Sequence, residues 1–177
     1  MGVFDLSLST SIPADVKPGL ANVLSIMLNR GSAFSDENKF FTNLEKQGIS
    51  TNFAADERGI SASSTFLAAD GVNAVKSAKE VLLNPRFTQE NLDFAKKVIK
   101  ENIQNASKNS NEGLLKEMFK GQYYGQTLDD ISKNIDNIRL GEVKVLYQYI
   151  INNAQGDIAI SAPFEKNTNL KQDFFKE

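Results

Sequence analysis

Two alternating runs, Ile49–Ala55 (ISTNFAA) and Gly59–Ala68 (GISASSTFLA), meet at the turn-forming stretch Asp56-Glu57-Arg58-Gly59. Apolar residues at every second position mark half-buried strands, and two such strands joined this tightly pair antiparallel. Asp70-Gly71 ends the pair. An earlier segment, Val3–Ser9, sets Phe4, Leu6 and Leu8 against Asp5, Ser7 and Ser9 in the same rhythm. The chain is therefore built on an antiparallel sheet, and its other segments must cover the apolar side of that sheet.

Those segments carry helical periods. After the breakers Pro13, Lys17, Pro18 and Gly19, apolar residues recur at Leu20, Val23, Leu24, Met27 and Leu28, a single helix stripe that Gly31 can close. Ser35 is placed to cap a second helix, with Phe40, Phe41 and Leu44 inward and Gly48 at its end. A third runs through Val72, Val75, Ala78 and Leu82 to the stop at Asn84-Pro85. Thr88 caps a long fourth helix whose Leu92, Ala95, Ile99 and Ile103 face in and whose Lys96, Lys97 and Lys100 face out. Leu114, Leu115, Met118 and Phe119 mark a fifth, ending near Gly121. Leu140, Val143, Tyr147, Ile150 and Ile151 mark a sixth, and Asp157–Ala162 (DIAISA) is a closing strand. Strands and helices that do not alternate singly predict an α+β fold, a mostly antiparallel sheet with helices packed on one face. Residues 1–164 read as one unit, and 165–177 as a polar tail, a truncated connection.

Composition narrows the chemistry. The 177 residues include no Cys and no His. A Cys/His zinc site, a thiol nucleophile, a Ser-His-Asp triad and an imidazole base are all out of reach. A formal net charge of −2 provides no basic field for phosphate backbones or anionic lipid, so neither nucleic acid nor a membrane surface is an expected partner. No apolar run has the length of a membrane span. The absence of thiols leaves the compartment open, with bacterial periplasm and cytoplasm both compatible.

Four segments, KPGLANVLSIMLNRG, FFTNLEKQGISTNFAADERGISASSTFLAADGVNAVKSAKEVLLNPRFTQENLDFAKKVIKENIQ, FKGQYYGQTLDD and EVKVLYQYIINNAQGDIAISAPF, follow one another in an order and spacing that resemble the first repeat of a pitrilysin/insulinase-type domain. These are the inverzincin metallopeptidases, which include the mitochondrial processing peptidases. The resemblance covers roughly Val3 to Phe164. It implies a helix bearing H-x-x-E-H, with two zinc ligands and a general base, and a third ligand, a glutamate, on the long fourth helix. Laid on this chain, the histidine positions fall at Asn22 and Ile26, the base at Ser25 and the third ligand at Asn102, with Glu101 one residue out of register. An amide oxygen is a poor zinc ligand beside imidazole, Ile has no donor, and Ser accepts no proton near neutral pH. The resemblance then implies a non-catalytic domain or subunit, with no zinc bound by this chain and zinc expected only in a catalytic partner domain or subunit. Such a chain helps enclose a peptide substrate. It also implies a second repeat, without which an exposed apolar face would favour homo-oligomers of the isolated chain. A structural interaction module with no proteolytic role, like core subunits of respiratory complexes, is the alternative.

Other candidates carry bland readings beside the functional ones. Tyr123 and Tyr124 are possible substrate or partner contacts, or a turn packed on the core. Glu101 reads as a solvated partner of Lys97 at i−4 or of the nearby Lys100. Asp129-Asp130 lacks a calcium-loop pattern and reads as a helix start or loop.

Overall fold

The computed structural model describes residues 1–106 and 112–161. In chain order the elements are β1 (Gly2–Ser9), α1 (Leu20–Leu28), β2 (Gly31–Ser32), β3 (Ser35–Asp36), α2 (Glu37–Lys46), β4 (Ser50–Asp56), β5 (Gly59–Phe66), α3 (Gly71–Leu83), α4 (Gln89–Asn105), α5 (Glu112–Met118), α6 (Leu128–Asn134), α7 (Leu140–Asn153) and β6 (Gln155–Ser161). The main sheet runs β4-β5-β1-β6 and every neighbouring pair in it is antiparallel. Its register stacks the alternating residues: Phe4 lies between Ser64 and Ile160, and Leu6 between Ala62 and Ile158.

Alternation divides the sheet into two unlike faces. Phe4, Leu6, Phe53, Ala55, Ile60, Ala62 and Phe66 are buried under the helices. Asp5, Asn52, Ser61, Ser63 and Thr65 point to the other, open face. The helices lie on one side only, as an α+β fold requires. Across the sheet, the Thr51 and Ser64 hydroxyls bond each other at 2.7 Å, which satisfies the polar pair that the alternation places on the apolar side. Gly59 closes the β4–β5 turn at φ 129°, where an added Cβ would stand 2.0 Å from the Leu8 carbonyl oxygen. Only glycine lets β1 approach the turn that closely.

Helix starts follow local chemistry, with one correction. Thr88 caps α4 by accepting from Asn91 N–H, as its sequence position predicts. The cap of α2 is Asp36, whose side chain accepts the Lys39 N–H at 2.9 Å. Ser35 does not serve, because its backbone is paired with Ser32 in the β2–β3 ribbon. The fifth helix forms over Glu112–Met118, but Leu114 and Met118 are 61% and 64% exposed, so neither of these two lies in the core. A short helix, α6, lies between the last two helices foreseen from periodicity. The 3₁₀ turn Ile135–Asn137 follows it and buries Ile135 and Ile138. The tail, 165–177, lies outside the described residues, as do the last residues of the single unit and of the closing strand foreseen to Ala162.

Asp129-Asp130 belongs to the start of α6. Thr127 and Asp130 form a reciprocal capping box, and Lys116 on α5 reaches Asp130 at 2.9 Å. Burial opposes ionisation of Asp130, yet the bonds from Thr127 and Lys116 outweigh it and hold the carboxyl below its ordinary range. A depressed folded pKa stabilises the fold above the unfolded value near about 3.9 and loses that contribution as pH falls through the folded value. Asp130→Asn is therefore expected to lower the melting temperature at neutral pH and to shrink the difference between melts at neutral and strongly acid pH.

Candidate functional site

Helix α1 packs against β4, α4 and α7, burying Leu20, Ala21, Val23, Leu24, Met27 and Leu28. The remaining stripe, Asn22, Ser25, Ile26 and Asn29, is spaced i, i+3, i+4, i+7 and forms its least covered side. Asn22 is exposed, while Ser25 and Ile26 are half-buried, the Ile26 side chain resting on the edge of the core. On α4, Asn102 continues the stripe of Leu92, Ala95 and Ile99 one turn past its buried part and is exposed. Since α1 and α4 are packed together, the four positions belong to neighbouring helices on the same side of the sheet. Glu101 lies 3.9 Å from Lys97 in an exposed i,i+4 pair, the solvated arrangement its sequence context suggests.

These side chains do not fit a catalytic zinc ion. Such a site needs three imidazole or carboxylate donors around one open position. Here the stripe offers one amide, one hydroxyl and one alkyl group, and α4 adds a second amide. Among the described residues no group of three or more His, Cys, Asp or Glu is placed to hold a metal ion.

The Gln122–Thr127 loop lies at the start of α1. Gly19 begins the helix at φ 83°, a left-handed position that suits glycine and brings no capping side chain. The cap arrives from 102 and 107 residues further along the chain: Tyr123 Oη accepts the Ala21 N–H at 3.0 Å and Gln126 Oε1 accepts the Gly19 N–H at 3.0 Å. Tyr123 is buried, and desolvation pushes its phenol up despite the hydrogen bond from Ala21. Tyr124 is 48% exposed, with its ring 5.0 Å from that of Phe119. The nearby Glu57 carboxylate raises its phenol as well. Tyr124, Glu57 and Arg58 line an open cleft of about 700 Å³ with Ser9, Thr10 and Ser11. Both tyrosines line this cleft, Tyr123 buried and Tyr124 exposed.

Sequence reasoning missed Asn29. Its carboxamide accepts the Phe53 N–H at 3.0 Å and donates to the Phe53 carbonyl at 2.6 Å. The signal was available, since Asn29 stands seven residues after Asn22 on the same face of α1. What could not be read is that this face ends against a strand edge. Nearby, Arg30 stacks over Phe94 at 4.0 Å and is ion-paired to Glu37, which fixes the chain as it leaves the helix.

The chain thus forms an antiparallel sheet covered on one face by helices, and no metal donor set accompanies it among the described residues. The insulinase family model, peptidase family M16, matches residues 13–130, more than half of the sequence, and the chain belongs to that family. No curated protein sequence matches it. Several solved structures share its fold, three of which follow. The inactive domain of a peptidase M16 from Pseudomonas fluorescens is 21% identical with a TM-score of 0.79, over 98% of this chain and 43% of that one. A protease from Helicobacter pylori is 13% identical with a TM-score of 0.75, again over 98% and 43%. The ferredoxin protease FusC, a mutant in complex with Arabidopsis ferredoxin, is 12% identical with a TM-score of 0.70, over 97% of this chain and 19% of that one. The chain thus spans less than half the length of each of these structures.

Proposed function

We propose that the chain is a non-catalytic part of a zinc peptidase assembly, helping to enclose a peptide substrate and to dock a catalytic domain or subunit. The observation that carries this reading is the pairing of the family match over residues 13–130 with the residues Asn22, Ser25, Ile26 and Asn102 where the resemblance places ligands and base. The fold is retained without the chemistry, so what it contributes is shape and surface. Similarity to an inactive M16 domain supports the same reading. So does a fold-mate whose structure holds a bound protein. Tyr124 and its cleft are the contact we assign to peptide or partner. Leu114 and Met118, apolar and exposed on α5, suit a docking surface. No helix among the described residues is long and apolar enough to cross a membrane.

Affinity purification of the native protein, followed by metal analysis and a peptide-cleavage assay, tests the proposal. A co-purifying zinc peptidase activity, lost on chelation and restored by zinc, is the expected result. Native complexes free of such activity would turn the reading toward a purely structural module. Cleavage and stoichiometric zinc in the isolated chain would overturn it.

A further inference from the structure

Among the described residues β4 pairs on one side only, with β5, so its other side is a free sheet edge. A free edge presents unpaired backbone groups to any extended chain that comes near. Which groups face outward follows from the register. Asp56 and Gly59 flank the two-residue turn as a hydrogen-bonded pair, and antiparallel ladders alternate bonded with non-bonded pairs. Phe53 opposite Ala62 is therefore a non-bonded pair, and its N–H and C=O point away from β5, out of the edge.

Asn29 takes both of those groups. Its Oδ1 accepts the Phe53 N–H at 3.0 Å and its Nδ2 donates to the Phe53 carbonyl at 2.6 Å. One donor and one acceptor meeting the same residue is the bonding that a residue of an added antiparallel strand would supply. The second hydrogen of Nδ2 goes to the Ser25 carbonyl at 2.9 Å, which uses up the donors of the amide. Reversing the amide would set its oxygen against two carbonyls and its NH₂ against an N–H, so the network itself fixes the orientation. The Asn29 backbone N–H is bonded to the Ile26 carbonyl at 3.1 Å, anchoring the residue to the end of α1.

We propose that Asn29 closes the free edge of β4 to strand addition, standing in at Phe53 for one residue of an incoming chain. An extended peptide can run along this edge, beside the open stripe of α1, only after the Asn29 side chain has swung out. Both bonds to Phe53 and the bond to Ser25 are lost in that movement. This goes beyond the enclosure role and does not depend on it, since it concerns how a strand meets the sheet and not whether a partner cleaves.

The test uses the full chain, Asn29→Ala and Asn29→Ser, each checked for a cooperative melt. The probe is a fluorescein-labelled octapeptide of alternating Thr and Val with Lys at each end, titrated by anisotropy, with amide exchange at Phe53 followed by NMR. Either variant is expected to exchange the Phe53 amide faster and to bind the probe about tenfold or more tighter than the unmodified chain. The bound probe should then restore protection at Phe53. Equal affinity in all three chains would overturn the proposal, as would absence of binding to both variants. So would a probe that protects Phe53 in the unmodified chain without shifting the Asn29 side-chain amide resonances.

Discussion

A chain carrying Asn22→His, Ser25→Glu, Ile26→His and Asn102→Glu together is expected to bind one zinc ion, where the unmodified chain binds none. Positions 22 and 26 are one turn apart on the least covered stripe of α1, so two imidazoles there project from the same face. Position 102 continues the packed stripe of α4, the helix that lies against α1, and can bring a carboxylate toward them. Three donors with one position open to water is the set a catalytic zinc requires. The gain should be at least about a hundredfold in zinc affinity, short of a natural site by about 10–100-fold because no surrounding groups orient the new ligands. Equilibrium dialysis with metal analysis measures it. Asn22→His alone should stay at background, since one imidazole makes no site. Zinc retained stoichiometrically by the unmodified chain would show that its donors lie elsewhere and that the assignment of these four positions is wrong. A quadruple variant that folds but takes up no zinc would show instead that α1 and α4 do not present these positions to one point.

The sheet and most helices could be read in the sequence because their apolar residues recur at the period of the element that buries them. Phe4, Leu6, Phe53, Ala55, Ile60 and Ala62 alternate because one face of the sheet is covered and the other is not. Ala95 and Ile99 are spaced as they are because α4 lies on the domain. Legibility failed where tertiary contacts decide. Ser35 has the chemistry of a cap, but a two-residue ribbon claims its backbone and passes the role to Asp36. Leu114 and Met118 have helical spacing, yet nothing described covers them. At the candidate site the four positions rest on the resemblance alone. The engagement of Asn29 with Phe53 and of Tyr123 with Ala21 was not, because each joins segments whose proximity no local pattern encodes. Tyr123 shows the difference most clearly, since in sequence it is one of a pair of aromatics and in the structure it is buried at a helix start while Tyr124 is exposed.

Tyr123→Phe is expected to destabilise the chain by about 1–2 kcal/mol, and Tyr123→Ala by about 3–5 kcal/mol. The phenylalanine variant keeps the ring in its buried place and removes only the oxygen that accepts the Ala21 N–H. That N–H is one of the orphan donors at the start of α1, and Gly19 has no side chain with which to satisfy it. A local cap cannot be installed instead. A Cβ at Gly19 would meet Ile131 Cγ2 at 2.8 Å and would have to adopt φ 83°. The alanine variant loses the same bond and leaves a cavity besides, so the difference between the two separates capping from packing. For a chain of this size, 1–2 kcal/mol corresponds to a fall of about 3–6 °C in melting temperature. Alkaline melts supply an independent reading. Burial raises the folded pKa of Tyr123, so its contribution is present below the ordinary tyrosine value near about 10 and is lost as pH rises through the folded value. Burial raises Tyr147 in the same sense, so Tyr123→Phe should reduce the alkaline loss without abolishing it. Faster exchange of the Ala21 amide in Tyr123→Phe would place the lost stability at the helix start. If that variant melts with the parent and Ala21 stays protected, the loop does not cap the helix. Tyr123 would then return, with Tyr124, to the residues available for a partner.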